Sequence, residues 1–362
     1  MGRTVAHLDL DAFYASVELQ RRPQLKGLPV IVSGTGPRAV VTTASYEARR
    51  FGVGSAMPTA RAKRLCPDAI IVPPDFNAYR EVSRSVMDLV RATVDAVEIV
   101  GLDEAYLDLT GLSSPKAAMR RLVREIREQT AMSASVGIGP NKLVAKVASD
   151  AEKPAGFVVL TREEACVRFA GAPPKLVPGI GAKTADKLAS LGITTLGQLA
   201  AYPEDELARR FGGNQGPWLR RRAQFYGSEH VESVRVAVSE SRERTFDTDI
   251  SDPAELEGIL RRLARELCEG LAEHGRTGRT IAIKVRLDDW TTVTRARTLP
   301  EPTNDAVRVG ELAVALLREY DPARPVRLLG VRVAAFAPDG DTPPAAAPVP
   351  ARVAAGQLAL EV

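Results

Sequence analysis

Residues 102–109 read L-D-E-A-Y-L-D-L and place Asp103 and Glu104 side by side at the start of an apolar, strand-like stretch. Residues 8–14, L-D-L-D-A-F-Y, set Asp9 and Asp11 into a second such stretch. A carboxylate that leaves water without a partner is costly, so such groups are normally paired or bound to a metal. The two stretches therefore raise the question of what neutralises their charge.

The patterns around these stretches predict an α+β fold. Outside residues 20–75, strand and helix patterns alternate in the order β-α-β-β-α-β, which is typical of a ferredoxin-like split βαβ sheet with an insertion after its first strand. In that topology the first strand can lie beside the hairpin that contains residues 102–104. The two acidic stretches then form a single site.

The remainder of the chain predicts further domains, as its length of 362 residues requires. Residues 165–230 have mostly helical patterns, and residues 245–336 alternate between helix and strand. Residues 276–298 contain six Lys or Arg against two Asp, which indicates an anionic partner or a solvated charged surface. The prolines between 338 and 350 indicate a flexible linker.

Composition excludes several classes of protein. No apolar run approaches the ~20 residues that span a bilayer, and the first residues lack a signal-peptide layout, so we expect a cytoplasmic protein without a membrane segment. The three cysteines are far apart, which argues against a disulfide framework and a zinc site. The three histidines are equally scattered, so oxygen ligands, which suit Mg²⁺, would hold any metal.

The acidic cluster predicts a metal site. Asp9, Asp103 and Glu104, with the backbone carbonyl of Leu10, could hold two divalent ions for an in-line displacement at phosphorus. Solvated carboxylates at strand ends are the alternative. The combination of D-x-D with an adjacent D-E pair favours the metal.

Two other groups of residues predict binding of phosphate. Thr43, Tyr46 and Arg49 recur every three residues, so a helix start could direct them toward a nucleoside triphosphate, and Lys153 adds a further cation. The stretch V-P-G-I-G-A-K, residues 177–183, predicts a hairpin between helices that binds a DNA phosphate. Its candidate residues are Gly179, Gly181 and Lys183.

Five motifs, in order along the chain, resemble those of Y-family translesion DNA polymerases, and most closely the bacterial DNA polymerase IV branch of that family. They are D-L-D-A-F-Y-A-S-V-E (9–18), A-S-Y-E-A-R-R-F-G-V (44–53), G-L-D-E-A-Y-L-D (101–108), S-V-G-I-G-P-N-K-L-V-A-K (135–146) and V-P-G-I-G (177–181). Residue Gly101 departs from the serine of many relatives.

The resemblance implies a right-hand polymerase with a ferredoxin-like palm, small fingers, a helix-hairpin-helix thumb and an α/β little finger. The implied boundaries are palm 1–20 and 75–165, fingers 21–74, thumb 166–232, linker 233–243, little finger 244–337 and a flexible tail 338–362. It also implies a template-directed polymerase of low fidelity, active in translesion synthesis and DNA repair. Two Mg²⁺ ions, or Mn²⁺ in their place, would act at the catalytic carboxylates.

Residue roles follow from the matched motifs. Asp9, Asp103 and Glu104 would be catalytic, and Tyr14 falls at the position that discriminates against a ribose 2′-hydroxyl. Val40 and Ala56 match positions that cover the nascent base pair. Template phosphates would be bound by Lys284, Arg286, Arg295 and Arg297.

The expected partners are primer-template DNA, the incoming deoxynucleoside triphosphate and the sliding clamp (beta), with the polymerase as a monomer. The last residues, Q-L-A-L-E-V, resemble the clamp-docking peptide, with Gln357, Leu358 and Leu360 as contacts. Two other functions stay open at this point. A nucleotidyl cyclase can use a similar palm, and a non-enzymatic DNA-binding adaptor could use the hairpin and the terminal peptide.

Overall fold

The structure, a computed structural model, describes residues 3–234 and 236–337. The chain divides into two units, each built from two separated segments. The first unit is Met1–Leu28 with Pro74–Val234, and the second is Pro29–Pro73 with Arg235–Val362.

The first unit contains a five-stranded sheet in the order β5-β6-β1-β7-β8. The first strand is central and antiparallel to both neighbours, so the predicted contact between the first strand and the middle hairpin is confirmed. The last strand of the sheet was missed from the sequence, because three residues are too short to establish a period. The strands are β1 (Val5–Leu10), β5 (Val97–Ile99), β6 (Glu104–Asp108), β7 (Ala134–Gly139) and β8 (Phe157–Val159).

Four long helices accompany this sheet. Two of them begin at side-chain caps, where Asp75 accepts a hydrogen bond from the amide of Ala78 and Asn141 accepts one from Val144. The last helix lies against β1 and β7 and buries its apolar face, including Leu143, Val144 and Val147. The four helices are α1 (Phe13–Arg21), α4 (Phe76–Thr93), α5 (Pro115–Thr130) and α6 (Lys142–Asp150).

The rest of the first unit is helical, as the sequence predicts. Its leucines pack around the fully buried Phe225, and the same core includes apolar residues of α6. The helix-hairpin pattern is therefore anchored to the element that also covers the sheet. The helices are α7 (Arg162–Arg168), α8 (Ala182–Ala189), α9 (Leu196–Ala201), α10 (Glu204–Phe211) and α11 (Gln215–Ala223).

The second unit begins with a small three-stranded sheet in the order β3-β2-β4. The helix that follows its second strand is a single turn, which begins at its cap Ser45. The elements are β2 (Val30–Ser33), β3 (Val41–Ala44), α2 (Tyr46–Arg49), α3 (Thr59–Leu65) and β4 (Ile70–Val72).

The second unit continues with a four-stranded sheet in the order β11-β10-β12-β9, with two helices packed on one of its faces. The first of its strands, β9, begins at Ser239, within the predicted linker of 233–243. The elements are β9 (Ser239–Ile250), α12 (Pro253–Glu273), β10 (Gly278–Leu287), β11 (Thr292–Thr303), α13 (Ala306–Tyr320) and β12 (Val326–Phe336).

We expect Gly137→Ala to be strongly destabilising. A Cβ atom at Gly137 would lie 2.0 Å from the carbonyl oxygen of Ala145 and 2.3 Å from the amide nitrogen of Ser149, so α6 would have to move away from the sheet. Overpacking of this kind costs about 3 kcal/mol or more when backbone must move. Urea denaturation measures the loss, and Gly171→Ala is the matched control because its Cβ would meet no atom within 4 Å. Equal midpoints for the two variants would contradict the close approach.

Candidate active site

The two acidic stretches meet at one end of β1 and β6, which are neighbouring strands of the sheet. Asp9 on β1 is the register partner of Glu104 on β6, and the amide of Leu10 donates to the carbonyl oxygen of Asp103 at 2.8 Å. Asp9 is buried, and the residue as a whole has 7% relative exposure. The structure thus brings together the four residues that the sequence places at a metal site.

Two lysines offset part of the negative charge of the cluster. The Nζ atom of Lys146, on α6, lies 2.8 Å from Oδ2 of Asp9 and 2.9 Å from Oε2 of Glu104. The Nζ atom of Lys153 lies 2.6 Å from Oδ1 of Asp9 and 2.8 Å from Oδ1 of Asp150. Lys153 was predicted to bind a phosphate and here pairs with the carboxylates of Asp9 and Asp150. Lys146 was missed, because a lysine on an amphipathic helix looks like a solvated surface residue.

The three carboxylates differ in their electrostatics. Burial, together with the negative charges of Asp9 and Glu104, raises the pKa of Asp103 to about 6. Burial opposes ionisation of Glu104 as well, but the hydrogen bond with His7 and the charge of Lys146 outweigh it and bring its pKa to about 2. For Asp9, the two lysines likewise overcome burial and lower the pKa. Asp103 therefore has the least compensated charge.

His7 is a further member of the cluster that the sequence reasoning missed. Its Nε2 atom lies 3.3 Å from Oε2 of Glu104, and its Nδ1 atom lies 2.8 Å from Oγ of Ser149 on α6. Burial lowers the pKa of its imidazole, despite the neighbouring Glu104. The alternation of side chains along a strand places His7 on the face of Asp9, so the pattern H-L-D could have revealed it.

The donor set fits a divalent cation. Potential ligand atoms of His7, Asp9 and Glu104 lie within 4.8 Å of one another, and carboxylate oxygens are the ligands that Mg²⁺ prefers. The cluster already attracts cationic groups, because two ammonium groups stand at hydrogen-bond distance from its oxygens. These observations support a metal at this position.

Asp11 has a different role from Asp9, although both belong to D-x-D. Its carboxylate accepts hydrogen bonds from the hydroxyls of Ser133 and Ser135 and from the amide of Ala155. These hydrogen bonds compensate the charge of Asp11. They connect the residues that follow β1 to β7 and to the turn after Lys153. It is therefore a structural carboxylate.

The predicted triphosphate ligands form a group in the second unit. Arg49 donates from Nε to the carbonyl oxygen of Ala44 at 2.9 Å, and its Nη2 lies 3.4 Å from the hydroxyl of Thr43. The Arg49 guanidinium also lies over the ring of Tyr46, 4.9 Å from its centroid. The structure therefore brings Thr43, Tyr46 and Arg49 together, whereas Lys153 belongs to the first unit.

Comparisons with known proteins identify the family. Residues 8–150 match the model of the impB/mucB/samB family, residues 237–344 match the C-terminal domain of that family, and residues 175–224 match the thumb domain of DNA polymerase-iota. A solved Y-family DNA polymerase chimera, Dbh-Dpo4(243-245)-Dbh, is 30% identical, with a TM-score of 0.79 over 91% of this chain and 98% of that chain. The chain belongs to the Y family of DNA polymerases.

Curated relatives agree with this Y-family membership. A DNA polymerase IV of Streptomyces coelicolor is 42% identical over 92% of this chain and 71% of that protein. One from Xanthomonas campestris pv. campestris is 40% identical over 92% and 94%, and one from Listeria monocytogenes is 39% identical over 93% and 96%. The protein is a DNA-directed DNA polymerase of the DNA polymerase IV type, a branch that acts in translesion synthesis and DNA repair.

The membership confirms the resemblance and the α+β right-hand fold predicted from the motifs. It sets aside the nucleotidyl cyclase and the non-enzymatic adaptor as functions of the chain. Y-family polymerases depend on a metal, in agreement with the donor set at the carboxylates. The predicted domain boundaries and residue roles are separate questions and stay predictions.

Tyr14, the predicted sugar-discriminating residue of this Y-family chain, lies in an aromatic cluster. Its ring stacks on that of Tyr79 with centroids 4.6 Å apart and meets the ring of Phe76 edge-on at 5.9 Å. Burial raises the pKa of the Tyr14 hydroxyl, and the negative charge of Asp103 adds to the effect. The ring thus packs against two other aromatic rings and lies close enough to Asp103 for that charge to affect its hydroxyl.

The predicted phosphate-binding turn contains two glycines with different constraints. Gly179 has φ of +96°, and a Cβ atom there would lie 2.8 Å from the ring of Trp218. Gly181 is the cap residue of α8, and Lys183 is exposed on the first turn of that helix. The guanidinium of Arg222 donates to the carbonyl oxygen of Pro178 at 3.0 Å and so supports the turn.

The four predicted cations of the second unit do not share one face of the sheet. Lys284 and Arg286 pair with Thr294 and Thr292 on the face opposite the helices. Arg295 and Arg297 instead pair with the buried Ile283 and Ile281, on the helix-covered side. There Arg295 lies over the ring of Tyr320, and Arg297 is bound to Glu319 on α13. A further cation on the open face, Arg332, was missed.

The predicted clamp-binding residues Gln357, Leu358 and Leu360 lie outside the described residues. Within the described part of this Y-family chain, no helix combines the length and the apolar composition needed to cross a bilayer.

We expect Lys146→Met to destabilise the first unit, because Asp9 and Glu104 would lose their shared cation. Loss of one partner from a largely buried ion pair costs about 2 kcal/mol or more. Thermal denaturation with and without Mg²⁺ measures the effect, and the variant should gain more stability from the ion than the parent protein does. Lys116→Met, which changes an exposed lysine on α5, is the control. If the two variants melted alike, Lys146 would not be the countercharge.

Proposed function

We propose that this polymerase adds nucleotides to a primer 3′ end by two-metal nucleotidyl transfer, with low fidelity and with Mg²⁺ as its ion. The observation that supports the proposal best is the pairing of Asp9 with Glu104 across two strands, with Asp103 directly before the second. Three carboxylates from two stretches of sequence are thereby concentrated at one end of β1 and β6. Such a set suits a pair of divalent ions.

Each of these residues has a role in the proposal. Asp9, Asp103, Glu104 and the carbonyl of Leu10 would hold two Mg²⁺ ions, or Mn²⁺ in their place, which supply positive charge for in-line displacement at the α-phosphorus. The chain's own donors fix the ligands: the His7 imidazole stands beside Glu104, and the Leu10 amide is bound to the Asp103 carbonyl. Their positions are thus set before substrate arrives, as efficient catalysis requires.

The incoming deoxynucleoside triphosphate is bound by hydroxyl and cationic groups. Thr43, Tyr46 and Arg49 offer donors to phosphate oxygens, and Arg49 already makes hydrogen bonds that restrict its side chain. Lys153 supplies a flexible ammonium that exchanges Asp9 for a phosphate oxygen when the nucleotide binds. Small side chains at Val40 and Ala56 leave room above the new base pair, which accounts for tolerance of damaged templates and low fidelity.

Primer-template DNA is bound through its phosphates. In the first unit, Gly179, Gly181 and Lys183 form the contacting turn. In the second unit, the open face of the four-stranded sheet is rich in hydroxyl and small side chains and carries Lys284, Arg286 and Arg332. Contacts of this kind ignore sequence and weaken as salt concentration rises. Arg295 and Arg297 would reach phosphate only along the edge strand.

The C-terminal Q-L-A-L-E-V is proposed to dock on the sliding clamp through Gln357, Leu358 and Leu360. Its benefit is a high effective concentration once both partners are on DNA. A monomer in the cytoplasm, as expected from the sequence, is part of the same proposal.

Replacement of Asp103 by Asn tests the proposed chemistry. The variant keeps the size of the side chain but removes its charge, so we expect primer extension with Mg²⁺ to fall at least about a hundredfold, since metal-held charge is worth several kcal/mol in the transition state. Asp108→Asn is the control, because Asp108 lies at the far end of β6 and binds Thr110 and Arg3. Single-turnover extension measures both. Unimpaired extension by Asp103→Asn would refute the metal role.

Replacement of Tyr14 by Ala tests the discrimination between sugars. Without the ring, a ribose 2′-hydroxyl gains space, and we expect the ratio of ribonucleotide to deoxyribonucleotide incorporation to rise about tenfold or more, the scale of a steric pocket change. Tyr14→Phe keeps the ring and should keep the ratio. The two incorporation efficiencies are measured on one primer-template. An unchanged ratio for Tyr14→Ala would remove Tyr14 from this role.

A further inference from the structure

The turn between β10 and β11 exposes a tryptophan in a constrained conformation. Trp290 is 62% exposed and has φ of +70°, which is unusual for a bulky residue and is unfavourable by about 1–2 kcal/mol. Two hydrogen bonds fix the turn. The amide of Trp290 donates to the carbonyl oxygen of Leu287 at 3.1 Å, and the amide of Leu287 donates to the carbonyl oxygen of Thr291 at 2.9 Å. A strained, exposed indole on a fixed turn indicates a function for the ring.

Two guanidinium groups stand at this indole. The Cζ atom of Arg327 lies 4.2 Å from the ring centroid, and that of Arg286 lies 5.8 Å from it. Neither arginine forms a salt bridge with a described residue. The nearby acidic residues of the turn, Asp288 and Asp289, are both bound to Arg324. The ring is thus flanked by positive charge that is free to meet an anion.

The positive charge extends further along this end of the sheet. Arg38, from the segment between β2 and β3, donates to Oδ1 of Asp249 at 2.7 Å and to the carbonyl oxygen of Phe246 at 2.8 Å. Burial lowers the pKa of Arg327, and the charges of Arg38 and Arg286 lower it further, so the three guanidinium groups repel one another. Among the described residues, the negative charge of Asp249 acts against this effect at Arg327. The patch therefore attracts polyanions.

We propose that Trp290, Arg286 and Arg327 bind one unpaired nucleobase of the single-stranded template ahead of the primer end. An exposed aromatic ring with adjacent guanidinium groups is the arrangement on which single-stranded nucleic acid stacks its bases and pairs its phosphates. Bases inside a duplex are covered on both faces by their neighbours. The template overhang is the part of a primer-template whose bases are free to stack. This inference rests on the proposed binding of primer-template DNA and adds a base contact to it.

The test compares two primer-templates that differ only in their template 5′ overhang, one with bases and one with abasic sites of equal charge. Binding is measured by fluorescence anisotropy of a labelled primer. The parent protein should bind the overhang with bases roughly tenfold more tightly, the scale of one stacked base. Trp290→Ala should lose this difference, and Trp290→Phe should keep most of it. Phe51→Ala, which removes another exposed aromatic ring of the second unit, should behave as the parent.

Intrinsic fluorescence gives a second readout, because the chain has two tryptophans. Quenching that requires overhang bases and is absent from Trp290→Phe would support stacking on Trp290. An unchanged preference for bases in Trp290→Ala would overturn the inference. Primer extension by the parent protein separates the stacking site from the proposed polymerase function. If extension proceeds and no variant alters the dependence of DNA binding on overhang bases, the polymerase function stands and the stacking site is wrong. If the parent protein bound neither primer-template, the stacking site and the proposed binding of primer-template DNA would both be wrong.

Discussion

Repulsion between carboxylates is the constraint on which the first unit depends. Potential ligand atoms of Asp9 and Glu104 lie within 4.8 Å of each other, and two like charges at such a distance near a protein surface repel by about 3–4 kcal/mol. A domain is stable by only about 5–15 kcal/mol in total, so the cluster requires a countercharge. Lys146 provides it, and α6 can place that lysine because Gly137 lets the helix approach β7 closely.

The compensation is incomplete in a way that matters for function. Three carboxylates, those of Asp9, Glu104 and Asp150, share the two ammonium groups of Lys146 and Lys153, and Asp103 adds a fourth negative charge to the cluster. Within residues 3–234, Asp103 makes no ion pair, and its pKa of about 6 reflects burial beside two negative neighbours. The resting site therefore has an excess of negative charge that matches a divalent cation. The same lysines that allow the chain to fold leave room for the metal on which Y-family polymerases depend.

Sequence alone predicted the meeting of the acidic stretches, because strand periodicity and element order determine the neighbours of the first strand. It did not reveal Lys146, whose role exists only after α6 packs on the sheet. Nor did it divide the cations of the second unit, because the pairing of Arg295 with Ile283 depends on a register that no local pattern encodes. Most of β9 was missed because its helix-facing positions include the charged residues Glu240 and Arg242, which form an ion pair at 3.5 Å and interrupt the expected apolar alternation.

The two units use different cations for different tasks, and the chemistry of each cation explains the choice. Lys146 and Lys153 carry compact, strongly hydrated charges on flexible stems, which suit a site where a metal ion or a phosphate must later take over a carboxylate. Arg286 and Arg327 carry flat, weakly hydrated groups that stack on Trp290 and keep donors free at their edges. An exchangeable charge at the proposed reaction centre and a stacking charge on the sheet proposed to bind DNA suit a polymerase. Such an enzyme must hold its template by general features while it changes substrates at every step.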